Sequence, residues 1–450
     1  MKSKRFEVEI SFLLLLTLGV GCSLLSPPKA PSQVPWEEVK KQIRLKSPTQ
    51  LTAGAAKVEI TPPVGTPLAG YSKRGGKPSQ GIRDPLYVRA LALSDGEDQA
   101  VLVSADLLIF PQPMADSILD KVCRELKLPR QAVILTTTHT HSGSGSIAPG
   151  FLYELVFGAY RPEVVEGITA RLIWAVRQSL EHRQPVRWGA GSGEKLVAGL
   201  TENRMIPMGP VDTSMNVLLL ESLEGHPVAI LVNAAAHPTL LDSQDMRLSA
   251  DYPGELTRVI ETTYPGAVCL FVNGAAGDLR PKDAIGSTPE ERVGRFGQAL
   301  AEGATGLINQ MSLKSKGDLA VWGWRLPLPP PQIYVGPIPL HPEIGRLMRP
   351  SAVYLNFLAF DHTLLVPLPA ELTTELGHEL KNRLAAQKVQ PILLGYANGY
   401  LGYAVTPQQY QDRSYEARMT WYGPTFGVSL IDEIQQLAGL YPSKEENPKQ

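Results

Sequence analysis

The sequence predicts an α/β protein with one large domain, built on a mixed, largely parallel sheet that carries its functional site at the carboxyl ends of the strands. Three observations support this fold class. Strand-like and helix-like segments alternate along most of the chain. The chain has 450 residues, of which 43% are hydrophobic, and this is enough for a large core. Polar side chains follow the predicted strands, where such sheets bind ligands.

The predicted elements pair strands with following helices. Runs of apolar and β-branched residues predict strands at residues 100–103, 132–136, 228–232, 267–272, 363–366 and 391–394. Helical spacing of apolar residues predicts helices at residues 114–126, 253–263, 289–311 and from about 372 to 385. Strands that alternate with helices indicate βαβ units, whose strands lie parallel.

Seven polar residues lie just after these predicted strands. They are Asp106, His139, His141, His237, Asp278, Glu371 and Tyr403. Their common position at one edge of the sheet indicates a site, although polar residues favour loops in any case.

Composition excludes some classes of partner. The net charge is −1 and the sequence pI is about 6.7, with no basic patch, so we expect no nucleic-acid partner. Cys123 and Cys269 lie in apolar contexts and are expected to pack as small hydrophobic residues, although an exported protein could pair them.

The amino terminus predicts export. Basic residues precede the apolar run from Ile10 to Val20, which suits a signal peptide better than a membrane-spanning helix. The segment ends at Cys22 in a sequence that resembles a bacterial lipoprotein cleavage box, with Gly19 in place of the usual leucine. We therefore expect a lipoprotein signal peptide at 1–22, a tether at 23–50, the folded domain at 51–442 and a disordered tail at 443–450. An ordinary cleaved signal peptide is the alternative.

His139-Thr140-His141 is the most informative motif. It follows an apolar strand and precedes Ser142-Gly143, so the two imidazoles are expected on one face of the strand end. Imidazole is a common metal ligand and proton carrier. Two surface histidines at a strand end are the alternative. A catalytic zinc takes three protein ligands, which His139, His237 and Glu371 would supply, but their spacing does not show that they meet.

Several motifs, in order along the chain, resemble the catalytic domain of the neutral (non-lysosomal) ceramidase family. The resemblance covers residues from about 54 to 427, which is most of the chain. The similar segments are Gly81 to Ala90, Val103 to Asp106, Thr138 to Gly143, Gly395 to Tyr400, Thr406 to Gln411, Tyr415 to Ala417 and Tyr422 to Pro424.

The resemblance implies a zinc amidase that cleaves the N-acyl bond of ceramide. It implies that His139, His237, Glu371 and Tyr403 bind Zn²⁺, which would activate water and polarise the amide oxygen. It also implies that His141 carries a proton to the departing amine and that Arg204 and Tyr415 stabilise the oxyanion. Each of these three residues has an alternative structural role, as a loop contact, a surface cation or a packed aromatic.

The chain departs from the family at Arg280, where the resemblance implies an active-site serine before Pro281. A guanidinium there would select an anionic substrate group or reshape the pocket, unless it turns away and pairs with a surface carboxylate such as Asp283. The family also continues into a β-sandwich domain after the catalytic domain.

These observations predict an exported, membrane-anchored bacterial zinc amidase that acts on an N-acyl amide, with a ceramide-like lipid as one candidate. The alternatives are a zinc hydrolase of another N-acyl or anionic substrate selected by Arg280, and a non-catalytic binding lipoprotein of the same fold.

Overall fold

The structure is a computed structural model, and it describes residues 36–43, 46–335, 338–339, 341, 345–346 and 348–441. The predicted signal peptide at 1–22, with Cys22, and the predicted tail at 443–450 lie outside these residues. No helix in the described part of the chain combines the length and the apolar composition needed to cross a bilayer.

The strands of the first half of the chain are β1 (Thr49–Gln50), β2 (Thr52–Glu59), β3 (Gly81–Ile82), β4 (Tyr87–Ser94), β5 (Gln99–Ala105), β6 (Val133–Thr137), β7 (Gln184–Gly193), β8 (Thr201–Asn203), β9 (Met215–Ser222) and β10 (Pro227–Ala234). Those of the second half are β11 (Arg247–Leu248), β12 (Val268–Asn273), β13 (Leu279–Pro281), β14 (Lys316–Gly317), β15 (Leu319–Pro327), β16 (Tyr334–Val335), β17 (Ile338–Pro339), β18 (Ala352–Phe360), β19 (Thr363–Leu368), β20 (Glu371–Leu372), β21 (Gln390–Gly395) and β22 (Tyr403–Ala404).

The α-helices are α1 (Trp36–Lys40), α2 (Gln112–Leu126), α3 (Phe151–Phe157), α4 (Pro162–Glu181), α5 (Asp251–Thr263), α6 (Pro289–Ile308), α7 (Thr374–Ala385), α8 (Pro407–Gln411), α9 (Tyr415–Arg418) and α10 (Phe426–Ala438). Every strand and helix predicted from the sequence is present, with bounds that differ by a few residues.

The largest sheet has eight strands in the order β12-β10-β9-β7-β2-β4-β5-β6. The predicted α/β class with a mixed sheet is confirmed, but the balance of strand pairing differs from the expected largely parallel one. In this sheet, β10 with β12 and β5 with β6 are parallel, and the other five neighbouring pairs are antiparallel. Two of the five antiparallel pairs, β4 with β5 and β9 with β10, are hairpins, which an alternation of strands and helices does not contain. Gly96 and Gly225, both with positive φ, lie in the turns that join β4 to β5 and β9 to β10.

A second sheet of four strands, in the order β15-β18-β19-β21, packs face to face against the large sheet. Leu218 and Leu231 of the large sheet share one buried cluster with Leu358 and Ile392 of the smaller sheet. Because this apolar layer joins the two faces, the two sheets form a single domain.

Helices cover the outer face of each sheet. On the large sheet, α2 and α4 pack against one half and α5 and α6 pack against the other. On the smaller sheet, α7 and α10 form the outer layer. The order of layers is helix, sheet, sheet, helix. Strands buried on both faces explain the continuous apolar runs of the sequence.

The carboxyl ends of β6, β12 and β21 meet at one end of the two sheets. The side-chain amide oxygen of Asn398, just after β21, accepts a hydrogen bond from the backbone N–H of Leu135 in β6 at 2.9 Å. A side chain at Gly395 would place its Cβ 2.7 Å from the carbonyl oxygen of Gly274, after β12. This close approach brings the loops after these strands together.

Part of the segment that we expected to be a tether is folded. The helix α1 buries Val39 in the core beneath the smaller sheet, and β1 pairs with β14. The two described cysteines are free, and both pack in apolar clusters as expected.

Candidate metal centre

Three predicted metal ligands converge at this end of the sheets. The Oε2 atom of Glu371 lies 3.0 Å from Nε2 of His237 and 3.5 Å from Nε2 of His139. All three side chains are buried. Residues that are far apart in the sequence therefore present nitrogen and oxygen atoms to one small space.

His139 is positioned by its backbone. It follows β6 in the left-handed region, with φ of 66°. Its Nδ1 lies 2.8 Å from the carbonyl oxygen of Leu108, and its ring stacks on Tyr396 at 3.9 Å between centroids. A carbonyl only accepts, so Nδ1 carries the proton and Nε2 presents its lone pair to the site. Such a backbone conformation is costly and is held by the surrounding contacts.

The prediction that His139 and His141 share one face of a strand is wrong, although their two rings do lie close together. Strand β6 ends at Thr137, so neither histidine lies on a strand face. The left-handed turn at His139 instead brings Nε2 of His141 to 3.4 Å from Nε2 of His139.

The loop after β12 positions His237. Its Nδ1 lies 2.7 Å from the carbonyl oxygen of Ala276 and 3.1 Å from that of Leu279. These acceptors fix the proton on Nδ1, which leaves the lone pair of Nε2 facing Glu371. Burial, followed by the charge of Arg204, lowers the pKa of His237 to about 4, so its ring is neutral near neutral pH.

Glu371 lies on β20, which pairs with β22 so that Glu371 is the register partner of Tyr403. The hydroxyl of Tyr400 donates a 2.6 Å hydrogen bond to Oε1 of Glu371. Burial acts to raise the pKa of Glu371, but His139 and His237 lower it well below its ordinary value. The residue is therefore a carboxylate with one oxygen held and the other directed at the histidines.

His141 completes the group. Its half-buried ring lies 5.0 Å from the His139 ring and 5.6 Å from the His237 ring, between centroids. Nη1 of the buried Arg74 donates to the carbonyl oxygens of Ala69 and His141, which holds this loop. Burial, with the charges of the other two histidines, lowers the pKa of His141 well below its ordinary value.

The donor atoms fit a metal ion. Nε2 of His237 and Oε2 of Glu371 are buried, and neither has a hydrogen-bond partner among the described residues. Each of the three histidines offers a nitrogen within 4.8 Å of the others'. Buried polar atoms without partners are costly, and a divalent cation would satisfy them.

Arg204 and Tyr403 border the group. Nη2 of Arg204 donates to the hydroxyl of Tyr403 at 2.8 Å and to the carbonyl oxygen of Gly277 at 2.7 Å. Nε of Arg204 donates to Glu416 at 2.9 Å. Burial, with the charge of Glu371, raises the pKa of Tyr403 well above its ordinary value, and Arg204 opposes this shift.

Tyr415 lies at the exposed edge of the site. Its side chain is 62% exposed, and its ring lies 5.7 Å from the ring of Tyr403 between centroids. All seven predicted site residues therefore belong to one region. Sequence gives their identity, whereas only the structure shows that they meet.

Arg280 does not enter this group of side chains. It lies on β13 between two buried residues and is itself exposed, as strand alternation requires. Its guanidinium pairs with Glu202 of β8 at 2.7 Å. It thus pairs with a surface carboxylate, as one alternative predicted, but the partner is Glu202 and not Asp283.

Two other polar residues at the predicted strand ends have structural contacts. Asp106 accepts hydrogen bonds from the buried Arg89 and from the backbone of Tyr87. Asp278 accepts hydrogen bonds from Asn203 and Thr374. Both carboxylates hold neighbouring segments in place.

Several residues that orient the site are not among those predicted from the sequence. Tyr400 holds Glu371, Tyr396 stacks on His139, Glu416 holds Arg204 and Arg74 holds the His141 loop. The two tyrosines lie in the segment Gly395 to Tyr400, which resembles the ceramidase family, and this motif is the sequence signal that marks them. No sequence pattern indicated Arg74.

Known proteins resemble this chain over most of its length. Neutral ceramidase A of Dictyostelium discoideum is 22% identical, over 98% of this chain and 80% of its own length. Neutral ceramidase of Mycobacterium tuberculosis is 22% identical, over 82% of this chain and 74% of its own length. The crystal structure of neutral ceramidase from Pseudomonas aeruginosa has a TM-score of 0.76 and 20% identity, over 87% of this chain and 74% of that chain, and it supports the fold.

The family model for the N-terminal part of neutral/alkaline non-lysosomal ceramidases matches residues 51–284, which is more than half of the chain. This match includes β6 with His139 and His141, and β10 with the following His237. The chain therefore belongs to the neutral/alkaline non-lysosomal ceramidase family, whose members are hydrolases that act on an amide.

Proposed function

We propose that this chain is a zinc-dependent amidase that hydrolyses the N-acyl bond of a ceramide-like lipid. The observation that carries the proposal is the convergence of His139, His237 and Glu371 with lone pairs directed at one point. The family supports an amide substrate. A similar solved structure, with a TM-score of 0.77, is described as a ceramidase complexed with C2.

His139, His237, Glu371 and Tyr403 would hold the ion. A zinc ion bound there would lower the pKa of a water molecule and polarise the amide carbonyl. The chain's own residues prepare the ligands. The carbonyls of Leu108 and Ala276 fix the tautomers of the two histidines, and Tyr400 orients Glu371.

Three further residues would act on the substrate. His141 lies beside His139 and would carry a proton to the departing amine. Arg204 is held by Glu416 and Gly277, so its guanidinium has a fixed orientation at the site. Arg204 and the partly exposed Tyr415 would donate hydrogen bonds to the oxyanion.

The alternatives have less support. A non-catalytic binding protein would need the metal ligands, but it has no need of His141 and a fixed Arg204 beside them. Selection of an anionic substrate by Arg280 is disfavoured, because the guanidinium of Arg280 already pairs with Glu202 on the surface.

We also propose that the protein is an exported bacterial lipoprotein anchored in a membrane through Cys22. This proposal rests on the amino-terminal sequence pattern alone.

Replacing His237 by alanine should abolish metal binding, because it removes one ligand from a buried set. We expect about one zinc per wild-type chain and less than about a tenth of that in His237→Ala, with amide hydrolysis reduced at least about 100-fold. Elemental analysis and a hydrolysis assay measure the two effects. His226→Ala, an exposed histidine in the β9–β10 turn, is the matched control. Full zinc content in His237→Ala would show that the ligand assignment is wrong.

Tyr400→Phe should weaken zinc binding without unfolding the protein. The substitution removes the hydrogen bond that orients Glu371, and loss of such a contact typically lowers metal affinity by about 10- to 100-fold. Competition with a chelator measures the affinity. Tyr441→Phe removes a hydroxyl bonded to the carbonyl of Asp361 and serves as the control. Equal affinities in the two variants would contradict the role of Tyr400.

A panel of ceramide, an N-acyl amino acid and an N-acyl phosphoethanolamine tests the substrate class. We expect ceramide to be hydrolysed with the highest kcat/KM. Arg280→Ser and Glu202→Gln should each preserve the order of preference within about fivefold, since an exposed ion pair contributes at most about 1 kcal/mol. A loss of preference for an anionic substrate in Arg280→Ser alone would identify Arg280 as the specificity residue. Absence of turnover on all three, with zinc bound, would favour the binding protein.

Cys22→Ser should prevent lipid attachment in a bacterial host. Wild-type protein should incorporate labelled fatty acid and sediment with membranes, whereas Cys22→Ser should not incorporate the label. Cys123→Ser is the control and should behave as wild type. Lack of label in both wild type and control would instead indicate an ordinary cleaved signal peptide.

A further inference from the structure

We propose that the exposed turn at residues 205–210, beside the candidate active site, inserts into the surface of a lipid bilayer and brings the site to its substrate. The inference rests on the proposed lipid substrate. We call residues 205–210 the apolar turn.

The apolar turn has an unusual composition. Its sequence is Met-Ile-Pro-Met-Gly-Pro, with no charged or hydrogen-bonding side chain. The Ile206 side chain is 37% exposed, and that of Met208 is fully exposed. Surface turns are usually built from polar residues, glycine and proline, so an apolar exposed turn indicates a contact surface.

Hydrogen bonds hold the turn in its exposed position. The side-chain oxygen of Asn203 accepts from the backbone N–H groups of Met205 and Ile206, at 3.0 and 2.9 Å. The Asn203 amide donates to the carbonyl oxygen of Pro210 at 3.0 Å and to Asp278 at 2.7 Å. These contacts keep the apolar side chains from folding back onto the protein.

The backbone of the turn also suits an apolar medium. Pro207 and Pro210 have no N–H group, and Gly209 donates to the carbonyl oxygen of Ile206 at 2.8 Å. The backbone N–H groups of Met205 and Ile206 donate to Asn203. Five of the six backbone nitrogens of the turn therefore either have no hydrogen or donate within the protein. Unpaired backbone donors are costly in hydrocarbon, so this pairing lowers the cost of placing the turn in lipid.

The turn lies directly beside the site. It follows Arg204, whose guanidinium contacts the hydroxyl of Tyr403. Arg204 also contacts Glu416, which is adjacent to the exposed Tyr415. Tyrosine is favoured where apolar chains meet polar headgroups. The turn and Tyr415 thus both lie next to residues that meet at the Arg204 side chain, on the exposed edge of the site.

A bilayer explains this combination better than a second copy of the chain does. Two small, convex apolar turns would bury little area against each other, whereas a bilayer accepts a single protruding turn. The proposed substrate is itself a membrane lipid. Leu223 provides a comparison site, because its side chain is 47% exposed in the turn at the other end of β10 from His237.

The first experiment measures contact with lipid directly. Full-length protein is bound to phosphatidylcholine vesicles whose acyl chains carry bromine, which quenches tryptophan fluorescence. The fluorescence that Met208→Trp adds to that of the six native tryptophans should be quenched at least about twofold relative to unbrominated vesicles. The fluorescence added by Leu223→Trp should not be quenched. Equal quenching at the two positions, or none at position 208, would overturn the proposal.

The second experiment separates lipid contact from catalysis. Ile206→Asp/Met208→Asp should reduce hydrolysis of a long-chain amide in vesicles by about tenfold or more, because both side chains lose burial in lipid. Hydrolysis of a water-soluble short-chain amide should stay within about twofold of wild type. Leu223→Asp should leave both rates unchanged. Equal losses on both substrates would also count against the proposal.

Failure of the proposed function can be distinguished from failure of the proposed lipid contact. Without turnover on either substrate, the proposed function fails, while the quenching experiment still reports lipid contact. Dimeric wild-type protein that becomes monomeric in Ile206→Asp/Met208→Asp, without vesicles present, would show that the turn binds a second copy and would refute insertion into lipid.

Discussion

The short loop from Ala276 to Leu279 is the constraint on which the site depends. The carbonyl oxygens of Ala276 and Leu279 accept hydrogen bonds from Nδ1 of His237. The carbonyl oxygens of Gly277 and Asp278 accept hydrogen bonds from the guanidinium and the backbone N–H of Arg204, respectively. The N–H of Gly277 donates to the carbonyl oxygen of Leu372, just after Glu371. A Cβ at Gly277 would lie 2.7 Å from the carbonyl oxygen of Glu371, so only glycine permits this contact. One loop therefore sets the positions of a histidine, a carboxylate and a guanidinium.

The electrostatics of the site follow from this packing. Three imidazoles, a carboxylate and a guanidinium lie together where water is largely excluded, and burying such groups without partners is unfavourable. Most of the cost is offset by specific partners, such as Tyr400 for Glu371 and Glu416 for Arg204. Two atoms of the site that lack a hydrogen-bond partner among the described residues, Nε2 of His237 and Oε2 of Glu371, face each other. A cation placed between these two atoms would satisfy both of them.

The sequence predicted the units in which a helix follows a strand, because each has a continuous apolar run followed by apolar residues at helical spacing. It did not reveal strands that pair antiparallel, such as β2, β4, β7 and β9, which make most of the large sheet antiparallel. For the site, residue types and motifs identified His139, His237 and Glu371. Their convergence depends on contacts between distant segments, including the left-handed turn at His139, and no local pattern encodes these. The same holds for Arg280, whose direction is set by its place in β13.

The two-sheet architecture also bears on what metal binding would do to the whole protein. His139 and His237 follow strands of the large sheet, whereas Glu371 and Tyr403 follow strands of the smaller one. An ion held by all four would join the two sheets at the end where their loops meet. Binding to the folded chain alone stabilises it by RT ln(1 + [L]/Kd), so such an ion would raise stability as well as supply chemistry. The leucine and isoleucine layer holds the two sheets together in the middle. A bound ion would hold them together at the end, so the geometry that the proposed reaction requires would also favour the folded state.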